Sequence, residues 1–80
     1  MNEKLETLKT ELENYVMINA CEIPNYYDYN MKFKAANKIM NDVYYYIEQW
    51  ENENNYHIEE EVTNGISKDL TELINQIVFE

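Results

Sequence analysis

Arginine is absent from this chain, and glycine, proline, cysteine and histidine occur once each. Each scarcity excludes something. A single cysteine cannot form an internal disulfide, and one histidine offers no repeated Cys/His spacing for structural zinc. One glycine rules out a glycine-rich phosphate loop. No stretch approaches the roughly 20 consecutive apolar residues that cross a membrane. The N-terminal Met1-Asn2-Glu3-Lys4-Leu5-Glu6 alternates charge, without the basic start and apolar middle of a signal peptide. A soluble protein of a reducing, cytoplasmic compartment is expected, with no membrane partner and no cofactor.

Positive charge is also scarce. Six lysines face sixteen carboxylates, a formal charge of −10 over 80 residues. Such a surface repels nucleic acid and anionic lipid and attracts basic proteins. Direct DNA or RNA binding is not expected, because it needs cations to neutralise phosphates. Disorder is the other common meaning of an acidic chain, but 45 % hydrophobic and 14 % aromatic content argue against it. A domain this short buries only about 60–65 % of its unfolded surface, so packed helices must supply its stability. Residues with AT-rich codons (Asn, Tyr, Ile, Lys) are favoured over the Ala and Leu of designed helices, which points to a natural protein from an AT-rich genome.

What is present is helical periodicity. Leu5, Leu8, Leu12 and Tyr15, with Val16 beside them, share one face of a first helix over about 2–21. Ile23-Pro24-Asn25 breaks it, and Asn25 is a fitting N-cap for a second helix over 26–51. That helix carries Tyr26, Tyr29, Phe33, Ala36, Met40, Val43, Ile47 and Trp50, an unbroken stripe of alternating three- and four-residue steps. Ile39 and Tyr46 widen it on one flank and Tyr44 on the other. Glu51-Asn52-Glu53-Asn54-Asn55 reads as a turn. Ile58, Val62, Ile66, Leu70, Leu73 and Ile77 mark a third helix over 57–78, either kinked at Asn64-Gly65 or restarted with Ser67 as cap. A hairpin at Asn64-Gly65 is disfavoured by the run Glu59-Glu60-Glu61. The expected fold is all-α: one domain, 1–80, folded as a small antiparallel three-helix bundle.

The charge is uneven. Residues 1–40 hold six acids and five lysines, a balance of −1, whereas 41–80 hold ten acids and only Lys68, a balance of −9. From Asp42 to Glu61 seven acids (Asp42, Glu48, Glu51, Glu53, Glu59, Glu60, Glu61) run without a cation. In an antiparallel bundle this stretch gathers at one end. It could serve solubility alone, but surfaces kept for solubility usually mix signs, and like charges cost a few tenths of a kcal/mol per helical pair. The eight tyrosines add to the asymmetry. Tyr44, Tyr45 and Tyr46 fan over about 200° of helix, so Tyr45 at least should face solvent. Tyrosine is large, fairly rigid and polar at its tip, which suits an interface anchor. The candidate partner-binding residues are therefore Asp42, Tyr45, Glu48, Glu51, Glu53, Glu59, Glu60 and Glu61, with Tyr27 near the first turn.

Catalytic chemistry finds no support. His57 beside Glu59-Glu60-Glu61 falls short of the convergent ligands a transition metal needs. Cys21 has no histidine placed to activate it and is expected to pack at the end of the first helix. The expected role is that of a protein-binding inhibitor, with a basic partner such as a nucleic-acid-binding effector whose cleft it fills as a nucleic-acid mimic. In size, acidity and lack of a site the chain resembles, in type, the small anti-defence proteins of phages and other mobile elements, anti-CRISPR proteins among them. No motif carries that resemblance and no residue role is transferred. It implies a host-defence protein as target. Two alternatives remain open: a structural module that forms a homodimer through the second helix, and an antitoxin-like partner of a basic toxin.

Overall fold

The computed structural model describes residues 2–80. Among them, three α-helices pack side by side: α1, Asn2–Cys21; α2, Tyr29–Asn54; and α3, Glu60–Ile74, which widens into a π-helical turn at Asn75–Phe79. Each helix contacts both others. The chain is thus an all-α three-helix bundle, as the periodicity predicts. Its extents are 42 × 20 × 17 Å, one helix long and two helices across.

The boundaries differ from those read in the sequence, each for a local reason. α2 begins at Tyr29 rather than Tyr26, because Asp28 and not Asn25 caps it. The Asp28 backbone is extended (ψ 175°) and its carboxylate accepts the Met31 N–H at 2.8 Å. Tyr26 and Tyr27 belong to the preceding turn, where the Tyr27 N–H donates to the Pro24 carbonyl. At the other end α2 runs through the polar stretch read as a turn and stops at Asn55, whose left-handed backbone (φ 49°, ψ 47°) directs its N–H back to the Asn52 and Glu51 carbonyls. Asparagine tolerates that conformation better than most non-glycine residues.

α3 starts at Glu60 rather than residue 57, and it continues through Asn64-Gly65 without interruption. Gly65 has no positive φ, and a Cβ there would meet nothing within 4 Å. Ser67 is not a cap; its Oγ lies 2.7 Å from the Tyr44 hydroxyl, tying α3 to α2. The departure from α geometry comes instead at Asn75.

The core is formed by Leu8, Leu12, Val16 and Ala20 of α1, Ala36, Ile39, Val43 and Ile47 of α2, Ile66, Leu70 and Ile74 of α3, with Ile58 and Val78 closing its ends. Ile39, read as a flank, is core, and Tyr15, read as core, lies at the edge. The first third of the α2 stripe misses the core altogether, with Tyr29 and Phe33 68 % and 50 % exposed. The reason is register. Tyr15 bonds Asp42 and Tyr46 bonds Glu11, so α1 and α2 run antiparallel and α1 ends before it reaches the first turns of α2. The π turn reaches this region, with the Phe79 ring 5.4 Å from that of Tyr29. No described residue with a polar or charged side chain is buried.

Candidate functional site

Six of the nine residues singled out from the sequence do gather at one end. Glu48 and Glu53 are exposed on the last turns of α2, and Glu59, Glu60 and Glu61 are exposed at the start of α3. Glu60 and Glu61 occupy the first turn of α3, where carboxylates are favoured by the positive end of the helix dipole. Glu51 is different. It is half-buried, and its Oε2 accepts the Ile58 N–H at 2.7 Å and stands 3.2 Å from His57 Nδ1. This carboxylate is occupied in holding the α2–α3 turn. It is less open to a partner than the other five.

The remaining three lie elsewhere. Asp42 is twelve residues before the end of α2, about 18 Å along the axis, so it does not join the acidic end. It sits with Tyr45 on the flank of the bundle between α1 and α2. Tyr27 is in the α1–α2 turn at the opposite end, half-buried, with its ring edge-on to Tyr26 at 5.5 Å.

The acidic end is also not free of cations in space. Because α1 is antiparallel to α2, its N-terminal turns lie against residues 47–54. They bring Glu3 and Glu6 together with Lys4 and Lys9. Lys4 lines a shallow depression with Trp50 and Asn54, and Lys9 pairs with Glu6 at 3.5 Å. The end therefore carries eight carboxylates (Glu3, Glu6, Glu48, Glu51, Glu53, Glu59, Glu60, Glu61) against two lysines. The excess persists, but it is diluted by charges that the one-dimensional reading left out.

A concavity lies on the α1–α2 flank. A groove of about 500 Å³ is lined by Glu11, Leu12, Tyr15, Asp42, Tyr45 and Tyr46. Leu12 is buried at its floor and the three rings are partly open to solvent. Two hydrogen bonds span it. The Tyr15 hydroxyl donates to Asp42 Oδ2 at 2.7 Å, and the Tyr46 hydroxyl donates to Glu11 Oε2 at 2.6 Å. Both phenols are held above their ordinary pKa of 10.0, chiefly because the carboxylate accepts a hydrogen bond from the protonated hydroxyl, then by burial and by the negative charge nearby.

Comparison with known proteins assigns no family: no family model matches the chain, and no curated protein and no solved structure matches it. The site must therefore be argued from its own chemistry. Of the groove residues, the sequence pointed only to Asp42 and Tyr45. Glu11, Leu12, Tyr15 and Tyr46 were missed, although a signal existed. Glu11-x-x-x-Tyr15 on α1 and Asp42-x-x-x-Tyr46 on α2 repeat the same acid-to-tyrosine spacing, and on antiparallel helices each acid meets the other's tyrosine.

Among the described residues no group of three or more His, Cys, Asp or Glu side chains could hold an ion. Cys21 is exposed rather than packed. No helix among the described residues is long and apolar enough to cross a membrane.

Proposed function

We propose that this chain is a binding protein rather than an enzyme, and that its acidic end docks onto a basic protein. The observation that supports this reading is the convergence of carboxylates from all three helices on one end, eight against two lysines, with one of the lysines already paired. Glu3 and Glu6 on α1 are one helical turn apart, about 5–6 Å. That separation is comparable with successive phosphates on one nucleic-acid strand. A basic surface shaped to follow such a row of charges is the cleft of a nucleic-acid-handling protein, so the chain is read as an inhibitor that occupies that cleft as a mimic. Among such proteins, a host-defence effector opposed by a phage or other mobile element fits its size and charge.

Salt and competition test the reading. The immobilised protein should retain nucleic-acid-binding proteins from a host extract at low salt, and duplex DNA should displace them. About 0.5 M salt, where the Debye length falls to roughly 4 Å, should release them. Replacing Glu59, Glu60 and Glu61 together by Gln should weaken retention. Retention that ignores salt, or a triple variant that binds as well as the parent, would reject the mimic.

A second reading rests on the exposed Tyr29 and Phe33, whose rings stack at 6.3 Å beyond the reach of α1. They could pair two copies in a homodimer. Sedimentation over a wide concentration range decides it, and a concentration-independent monomer ends it.

A further inference from the structure

We infer that the α1–α2 groove receives one arginine side chain of the basic partner. The inference builds on the proposed binding of a basic protein and adds to it an anchoring point away from the acidic end.

The lining supplies what a guanidinium needs and little that anything else would use. Glu11 enters from α1 and Asp42 from α2, and neither carboxylate forms an ion pair among the described residues. Each accepts one tyrosine hydroxyl, but a carboxylate offers about four lone-pair sites, so both keep acceptor capacity. The tyrosine bonds also limit the freedom of both carboxylates, which lowers the ordering cost of a second interaction. Between them lie three tyrosine rings, with Tyr45 the most open at 65 % exposed. Aromatic faces attract cations, and Arg does so more often than Lys. Leu12 gives the groove an apolar floor for a methylene stem.

Guanidinium fits better than ammonium on three counts. It is planar and can stack on a tyrosine face. Its five donors form a rigid fork that can reach carboxylates on two sides. It is also more weakly hydrated, so it gives up less on entering a partly apolar groove. An anion would meet two carboxylates, and a neutral apolar group would leave both without a new partner. The volume, about 500 Å³, lies in the range of sites that hold small ligands. The acidic end also has rings near its carboxylates, but there Glu3 and Trp50 share their depression with Lys4, and Glu51 beside Tyr56 is already bonded to the Ile58 N–H, so a guanidinium should be less favoured there.

Blocked amino acids provide the probe. N-acetyl-arginine methylamide is titrated into the full chain while backbone amide resonances are followed, with the lysine and the neutral citrulline analogues in parallel. Arginine should give saturable shifts centred on Glu11, Tyr15, Asp42 and Tyr45. The lysine analogue should bind more weakly, and citrulline should give no saturable shift. Asp42→Asn and Tyr45→Leu should each weaken arginine binding about tenfold, equivalent to about 1.4 kcal/mol. Both positions are exposed, and Glu11→Gln serves as a third variant should either disturb the fold. The inference is overturned if lysine or citrulline binds as well as arginine, or if the shifts centre on Glu59–Glu61 instead. It is also overturned if Asp42→Asn and Tyr45→Leu leave arginine binding unchanged.

The two ideas fail separately. The Glu59, Glu60 and Glu61 triple Gln variant should keep its arginine groove while losing retention of the basic partner. Salt-insensitive retention alongside normal arginine binding rejects the mimic and leaves the groove. Salt-sensitive retention with no groove response to arginine rejects the groove and leaves the mimic.

Discussion

The hydroxyl of Tyr15 donates to Asp42 at 2.7 Å, joining two residues 27 positions apart in the chain. Tyr46 returns the same kind of bond to Glu11 at 2.6 Å. On each helix the acid precedes the tyrosine by four residues, so the antiparallel pairing of α1 and α2 makes the two bonds reciprocal. They tie α1 to α2 across the flank of the bundle. They also shape the groove between the helices.

Removing either hydroxyl should therefore cost stability without unfolding the protein. A net intramolecular hydrogen bond contributes about 0.5–1.5 kcal/mol, and these are partly solvated, so Tyr15→Phe and Tyr46→Phe should each cost about 0.5 kcal/mol. Denaturant midpoints measure the loss. The sign of the pH effect follows from the raised tyrosine pKa values. The folded chain holds these protons more tightly than the unfolded chain does. The stabilisation is thus fully present below pH 10 and is lost as pH rises from about 10 through the folded-state values. The double Phe variant should show a shallower alkaline fall than the parent. Parallel curves would mean that the bonds do not form in solution.

The cap of α2 separates two neighbouring side chains that look alike in the sequence. Asp28 accepts the Met31 N–H, whereas Asn25 lies in the turn before the helix. Asp28→Ala should cost about 1 kcal/mol, the usual value of an N-cap, and Asn25→Ala should cost little. Thermal melts followed by helical circular dichroism compare them. Equal losses would return the helix start to Tyr26.

The same pair shows how far the sequence was legible. Periodicity located all three helices because burial repeats every three or four residues whatever the caps do. Buried Leu8, Leu12, Val43, Ile47, Ile66 and Leu70 all stand on the stripes it identified. Boundaries were less legible, since Asn25 and Asp28 are both good cap residues and it is Asp28 whose carboxylate accepts the Met31 N–H. Tyr29 and Phe33 continue the α2 stripe without a flaw, yet they are exposed because α1 is shorter than α2, a relation that no single segment encodes. The candidate site was less legible still. An acid run is visible along the chain, but Lys4 and Lys9 join it only through helix pairing, and the groove exists only because Glu11 and Tyr15 meet Asp42 and Tyr46 across it.

Gly65 is the one glycine, and it lies in the interior of α3 with ordinary helical requirements. A methyl group added there meets nothing within 4 Å. Gly65→Ala should then stabilise the protein by about 0.5–1 kcal/mol, since alanine loses less backbone freedom on entering a helix. The expected outcome is a raised melting temperature with unchanged helical content. A destabilised variant would place a break at Asn64-Gly65 in solution.

Glu51 tests whether the acidic end is held together as well as charged. Its carboxylate accepts the Ile58 N–H at 2.7 Å, just before Ile58 itself enters the core. The Tyr56 N–H donates to the Glu51 carbonyl, so one residue serves the turn through both backbone and side chain. Glu51→Ala leaves a half-buried N–H without its acceptor and should cost about 1–2 kcal/mol. Glu53→Ala, one turn face away and exposed, should cost almost nothing. Hydrogen exchange at the Ile58 amide reports the difference directly, and it should quicken only in the Glu51 variant. If both variants are equally stable and Ile58 stays protected, the carboxylate is free to face a partner, and Glu51 rejoins the docking surface.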